Sequence, residues 1–389
     1  MANTLTGLIP TMYAGMDIVS RELCGLCRAV SLDSKVESAA VNQTVRSPVV
    51  PEADTEDITP GANPADSGDQ TIGYADIKIT KSKASPIRWT GEEELSISGI
   101  LNPVLVNQFA QSIRALVNLV EIDLATAGYK GASRAYGTAA TTPFGTAGDL
   151  SDVANILKIL EDNGAPTTDL QLALGSAAIA NIRGKQSGLF EINRAGNDDL
   201  LRRGVIGDLE GMEVRNSAGI QKVTASTEAA YVTNTGTTYP VGTTSIALDG
   251  AGTGDKIVAG DIITFAGDTN KYVVKTGITG ASGTIAIAEP GLKQTLADGV
   301  ASTLVTDFTA NLGFARSALH LAARAPEMPV DINGRPIDAA ADVTTITDPK
   351  SGLTFQVALY AQYRRIKYEV GLAWGTAVIK PEHIAILLG

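Results

Sequence analysis

Two histidines and two cysteines in 389 residues leave little of the usual material for catalysis or metal binding. Cys24 and Cys27 cannot make a disulfide framework. As a C-x-x-C pair they lack the strand–helix context of a redox motif, and zinc would need two further ligands at fixed spacing. They read as buried structural thiols on an amphipathic helix. His320 and His383 lie far apart in the chain, and neither sits in a nucleophile pattern with Ser, Cys or Asp. Aromatic residues make up only 5%. No run of about 18 apolar residues occurs, so no membrane-spanning segment is expected. The first residues lack a basic region followed by an uninterrupted apolar stretch, so no signal peptide is read and synthesis in a cytoplasm is expected. Positive charge is also scarce. There are 31 Lys and Arg against 42 Asp and Glu, a net charge of −11. Such a surface repels phosphate, which argues against a module that reads nucleic acid.

What is present is a globular composition, 44% apolar and 19% charged, with 40 glycines. The length allows two or three domains. A helix is expected over 12–30, with Met16, Val19, Leu23, Leu26, Cys27 and Val30 on one stripe. The run Pro51–Gly68 then holds three prolines, two glycines and five acids. Proline removes backbone donors and the acids resist burial, so this run forms neither helix nor core strand. Residues 71–98 read as one hairpin. Ile77 and Ile79 alternate with Lys78 and Thr80, and Ile87 and Trp89 alternate with Arg88 and Thr90. Lys81, Lys83 and Arg88 make it basic, with Glu92, Glu93 and Glu94 beside it.

A long helix follows, capped by Asn102 with Pro103 at its first position. Val106, Phe109, Ile113, Leu116, Val117, Val120 and Leu124 give it one apolar face, and Gly128 is its expected stop. From 103 to 127 it would run roughly 38 Å. Residues 128–150 read as a loop or irregular strand. A second helix starts after Ser151 and stops at Asn163–Gly164. A buried strand, Leu170–Leu174, and a short helix over 176–183 come next, and 204–216 reads as two short strands around Glu210–Gly211. From 222 to 305, short apolar runs alternate with turn signals, as in a small sandwich or barrel. Helix-like sequence resumes over Gly313–Arg324, and 353–388 is strand-like.

Other patterns point away from chemistry. Gly250-Ala-Gly-Thr-Gly254 lacks the third glycine of a dinucleotide loop and reads as a hairpin turn. Asp331-Ile-Asn333-Gly334 lacks the later ligands of a calcium loop and reads as an Asx-type turn. Asp198–Asp199 and Glu92–Glu94 read as solvated faces. No catalytic residue, metal site or cofactor is expected.

The stretch LRRGVIGDLEGMEVRNSAGI over 201–220 resembles one in tailed-bacteriophage major capsid proteins. There a glycine-rich G-x-I/V-x-G-x-x-G pattern closes a globular domain; Gly204, Gly207 and Gly211, with Met212 and Val214, supply its glycines and apolar residues at the spacing G-x-x-G-x-x-x-G. The order of elements resembles that family, and the closing GLAWGTAVIKPEHIAILLG resembles its final strand pair. The stretch 222–305, with AGDIITFAG, resembles the inserted β-barrel of coat proteins from the short-tailed Salmonella-phage subgroup. The resemblance implies an α+β capsid fold in six parts. These are an N-terminal arm (1–68), an extended hairpin (69–99), a spine-helix region (100–150), an α/β domain (151–221), an inserted barrel (222–305) and a return to both domains (306–389).

It further implies a subunit that assembles with itself as hexamers and pentamers of an icosahedral shell around packaged DNA, without sequence-specific contact. A scaffolding protein, a portal and a cement protein are the implied partners. The virion is the implied location. An acidic surface is compatible with a container wall that must not stick to its contents. Contacts between copies are expected from Glu52, Asp54, Glu56 and Asp57, meeting Lys81, Lys83 and Arg88 of a neighbour, with Trp89 beside them. Two alternatives stay open. One is another phage structural component of the tail, decoration or adhesion kind, forming small oligomers. The other is a hydrolase with scattered acids.

Overall fold

The computed structural model describes residues 9–22, 25–33, 38–49, 72–96, 101–186, 207–226, 231–329, 331–333, 337–349 and 351–389. Its helices are α1 (Ile9–Glu22), α2 (Leu26–Ala29), α3 (Gly91–Ser96), α4 (Leu101–Gly131), α5 (Ser151–Asp162) and α6 (Ser176–Lys185). At 31 residues, α4 is about 46 Å long. Phe109, Ile113, Leu116, Val117, Val120 and Leu124 are all buried on its expected face, while Val106 is half-buried. The helix does not stop at Gly128. A Cβ there would lie 2.6 Å from Leu312 Cδ1, and one at Gly131 would lie 2.6 Å from Val378 Cγ2. These glycines let strands approach the helix closely, and the helix continues through the first of them.

Two sheets pack on α4. In the first, the order is Ser31–Asp33, Leu319–Arg324, Arg365–Val378, Thr354–Gln362, Asp342–Thr347. Lys81–Thr90 runs antiparallel along the other edge of Arg365–Val378, from Lys81 opposite Trp374 to Thr90 opposite Arg365. Ile87, Trp89, Tyr368, Val370, Leu372 and Trp374 join the α4 face in one core. Phe109 meets Tyr368 edge-on at 5.7 Å between ring centroids. Each such side chain, fully buried, contributes about 1.5–3 kcal/mol relative to exposure.

The second sheet has the order Arg134–Tyr136, Ile384–Leu388, Phe308–Ala315, Leu170–Leu174, Met212–Asn216, Asp208–Leu209. Helices α5 and α6 cover it through Val153, Ile156, Leu160, Ile179 and Ile182. The tight turn at Glu210–Gly211 has positive φ at both residues, 49° and 81°, as a two-residue hairpin turn demands.

Six of the strands between 231 and 304 form a closed ring. Their order is Val232–Thr233, Ser245–Asp249, Gly283–Ile287, Lys271–Thr276, Ile262–Phe265, Ser302–Leu304. A bridge from Val232 to Ala301 shuts it. Ile246, Leu248, Ile263, Phe265, Tyr272 and Ile285 fill the interior. Strand Lys271–Thr276 also pairs with Arg134–Tyr136, so the ring is fused to the second sheet.

Several local expectations fail for non-local reasons. The helix expected over 12–30 is divided into α1 and α2, and Gly25 ahead of α2 lies where a Cβ would fall 2.1 Å from Asn216 O. Residues 71–98 are not one hairpin. Gly73–Lys78 pairs with Thr44–Val49, Lys81–Thr90 pairs with Arg365–Val378, and Gly91–Ser96 is helical. The two strands of the ribbon are therefore Thr44–Val49 and Gly73–Lys78, and the acidic run lies in sequence between them, outside the described residues. Gly313–Arg324 is two strands around a 3-10 turn at Arg316–Ala318. Phe308–Ala315 is buried on both faces, so its apolar residues do not alternate. The last two strands, Arg365–Val378 and Ile384–Leu388, lie in different sheets and do not pair with each other. The glycine run 250–254 joins strands that are not mutual partners, so it is a turn outside any hairpin. The Asx turn is present, with Asn333 N–H donating to Asp331 Oδ1 at 2.8 Å.

The ribbon docks on the first sheet through Val45, Ile77 and Ile79 against Ala322 and Ala373. Gly375 permits this, since a Cβ there would lie 2.0 Å from Lys78 O. Gly375→Ala is expected to destabilise the fold by more than about 2 kcal/mol, because backbone must move. Gly184→Ala in α6, where a Cβ meets nothing within 4 Å, is expected to stabilise by about 0.5–1 kcal/mol. Chemical unfolding of both variants checks the contrast, and equal effects would contradict it.

Candidate functional site

Sequence reasoning did not single out Glu121. It sits on α4, one turn beyond Val117 and one before Ala125, and is 1% exposed. Its carboxylate accepts the Leu26 N–H at 3.0 Å, the Cys27 N–H at 2.8 Å and the Ser217 hydroxyl at 2.5 Å. It thus satisfies the orphan donors at the start of α2 from a different helix. Burial pushes its carboxyl up from the usual range, and the donors from Ser217 and Cys27 pull it back. Ser217 Oγ in turn accepts the Gly219 N–H at 3.1 Å, and a Cβ at Gly219 would lie 2.5 Å from Glu121 C and O. One carboxylate ties α2, the spine helix and the loop after Met212–Asn216 together. An acid at the edge of the apolar stripe of a long helix was the available signal. Cys27 is buried on α2, as expected of a structural thiol; Cys24 lies outside the described residues.

The structure separates the sequence-derived contact residues. Lys81 Nζ lies 2.7 Å from Asp123 Oδ1 on α4, and Asp123 Oδ2 accepts the Trp374 indole N–H at 2.8 Å. Trp89 is buried and donates to Gln108 Oε1 at 2.8 Å. Lys81 and Trp89 thus hold the strand on its own spine helix. Lys83 and Arg88 are exposed on the same strand. Glu52, Asp54, Glu56 and Asp57 lie outside the described residues. The strand is an edge, and it carries Pro86, Lys83 and Arg88, the residue types that blunt edges against unwanted pairing.

Two peripheral features stand out. On the ribbon, Tyr74 is 62% exposed under the Arg46 guanidinium, which lies 5.2 Å from its ring centroid and pairs with Asp76 at 2.9 Å. Beside α3, the turn between Thr354–Gln362 and Arg365–Val378 projects Tyr363, 92% exposed, next to an open cavity of about 740 Å³. α3 starts with a reciprocal cap, since Glu93 accepts the Thr90 N–H at 2.8 Å and Thr90 Oγ1 accepts the Glu93 N–H at 3.3 Å. The T-x-x-E spacing carried that signal in the sequence.

Among the described residues no group of three or more His, Cys, Asp or Glu could hold a metal ion. His320 and His383 sit in different elements, and burial lowers both from the usual imidazole range. No helix is long and apolar enough to cross a membrane, among the described residues.

The cap predicts a pH response. The hydrogen bond from Thr90 N–H holds the Glu93 carboxyl below the usual range. Its contribution is therefore present above the unfolded carboxyl value and is lost as pH falls through the lower folded value. Glu93→Gln is expected to remove that response, because an amide does not ionise. Amide exchange at residues 90–94 against pH checks this, and a variant with wild-type protection at every pH would contradict it.

No family model and no curated protein matches the chain. Among solved structures, it is similar to one from Mycobacterium phage Che8 at 12% identity, with 90% of this chain and 85% of that chain covered and a TM-score of 0.47. It is similar to the capsid of the cyanophage P-SCSP1u at 12% identity, covering 92% and 86% with a TM-score of 0.49. It is also similar to a virus-like particle from Pyrococcus furiosus at 8% identity, covering 97% and 98% with a TM-score of 0.42.

Proposed function

We propose that this chain is a major capsid protein of the tailed-phage type, whose copies assemble into a closed icosahedral shell around packaged DNA. One observation carries the reading. A two-stranded ribbon is docked on the body only at its base, through Val45, Ile77 and Ile79, while Tyr74 and Ile72 further along it are exposed. A ribbon that exposes apolar side chains and leads into an acidic run is built to lie on another surface. The body behind it is pinned to a 31-residue helix, which suits a subunit that must transmit lattice contacts without deforming.

In this reading residues 1–43 form the arm and 44–78 the extended ribbon. The closed ring within 222–305 is an inserted domain like that of the short-tailed Salmonella-phage coat proteins. It braces the subunit through strand Lys271–Thr276. Hexamers and pentamers of the chain, a scaffolding protein, a portal and a cement protein are the proposed partners. Synthesis takes place in the host cytoplasm, and the mature location is the virion. Lys83 and Arg88, left exposed on the edge strand, are proposed to touch a neighbouring copy.

Negative-stain electron microscopy of the purified protein, with its size distribution by light scattering, tests the reading. Closed shells, curved sheets or tubes are expected. A discrete monomer or trimer at every salt and protein concentration would contradict it.

A further inference from the structure

A chain with net charge −11 brings three arginines to one place. Arg28 on α2, Arg215 near the end of strand Met212–Asn216, and Arg316 in the turn joining the two sheets line one open cavity of about 850 Å³. Ser31, Ser351 and Gly352 line it too, and among the described residues its walls include no carboxylate. Arg316 is held in place by backbone, its Nη2 donating to Arg28 O at 2.9 Å and its Nε to Val30 O at 3.4 Å. Arg215 pairs with Glu213 at 2.6 Å and donates through Nε to Gln171 Oε1 at 3.3 Å. A guanidinium has five N–H donors in a fixed fork, and these contacts use two on each of Arg215 and Arg316. Grouping like charges costs energy unless an anion joins them, and guanidinium forks match carboxylates in pairs.

The six-residue stretch of the sequence richest in carboxylates lies in the connection of the ribbon. Between the last paired residues of the ribbon, Val49 and Gly73, the run Pro51–Asp57 places four carboxylates within six residues, at Glu52, Asp54, Glu56 and Asp57. The other basic candidates are poorer receivers. Lys81 is a single ammonium beside Asp123, whereas Arg215, though beside Glu213, shares its cavity with two further guanidinium groups, and Lys83 and Arg88 stand five residues, about 17 Å, apart along one strand. Arg88 also lies opposite Lys367 in the register.

We infer that the Arg28–Arg215–Arg316 cavity receives the acidic run Pro51–Asp57 of a second copy of this chain. The choice of a second copy rests on the shell reading. The contact is a carboxylate-to-guanidinium latch, repeated at each neighbour and weakened by salt.

Two full-length charge-reversed chains test it. One carries Glu52→Lys, Asp54→Lys, Glu56→Lys and Asp57→Lys; the other carries Arg215→Glu and Arg316→Glu. Thermal melting first establishes that each is folded, and Arg215→Glu alone serves if the double variant is not. Light scattering then follows assembly. Each variant alone is expected to assemble at least about tenfold more slowly than the parent, and an equimolar mixture to recover, because each run then faces an oppositely charged cavity. No recovery on mixing, or parental assembly by the arginine variant alone, would overturn the inference. Recovery only when both sets of changes share one chain would place the contact within a subunit and overturn the second copy.

If the parent chain forms no lattice, the shell reading fails separately. A labelled peptide spanning Pro51–Pro60 is then titrated onto the purified chain. Salt-sensitive binding that Arg215→Glu abolishes supports the cavity, and equal binding to that variant, or none, overturns it. Inorganic phosphate or a short DNA duplex displacing the peptide at lower concentration would assign the cavity to phosphate instead.

Discussion

Glu121 places a carboxylate where three donors from two separate chain segments need an acceptor. The first two amides of α2 have no partner within their own short helix, and the Ser217 hydroxyl is buried against the spine. An unpaired buried donor costs about 1–3 kcal/mol, so removing this acceptor would leave several such penalties at once. The surrounding glycines have the same origin. Gly25 and Gly219 bring backbone within reach of the carboxylate by having no side chain to hold it off. The joint fixes the N-terminal segment, the spine helix and the second sheet relative to one another.

The first sheet is fixed to the same helix by a second acid. Asp123 lies two residues along α4 and accepts from both Lys81 and the buried Trp374 indole. With both sheets fastened to α4, the elements left over lie at the periphery: the ribbon, the edge strand, the Tyr363 turn and the arginine cavity. Their exposed side chains are not needed to hold the subunit together, which frees them for contacts between copies. The acidic balance of the chain fits the same division, since clustered arginines are conspicuous against it.

Much of the local structure was legible because it depends on local pattern. The apolar face of α4, the stop of α5 at Asn163–Gly164, the buried strand Leu170–Leu174 and the turn at Glu210–Gly211 all follow from periodicity or turn chemistry. What could not be read was pairing at long range. Lys81–Thr90 and Gly73–Lys78 alternate like two arms of one hairpin, yet their partners lie at 365–374 and at 44–49. Phe308–Arg324 is rich in Ala and Leu because its strands are buried on both faces, and that composition imitates a helix. Gly128 has the position of a helix stop but the function of a close approach to Leu312. Of the contact residues, Lys81 and Trp89 were identified by charge and size alone, and internal partners claim both.

Hydrogen exchange at single-residue resolution, comparing the parent chain with Glu121→Gln, tests the central joint most directly. The amide replaces one acceptor by a donor aimed at the same N–H groups. Protection of the Leu26 and Cys27 amides is predicted to fall at least about tenfold, while Val117, Val120 and Leu124 within α4 keep theirs. Unchanged protection at Leu26 and Cys27 would contradict the claim that this carboxylate joins the N-terminal segment to the spine.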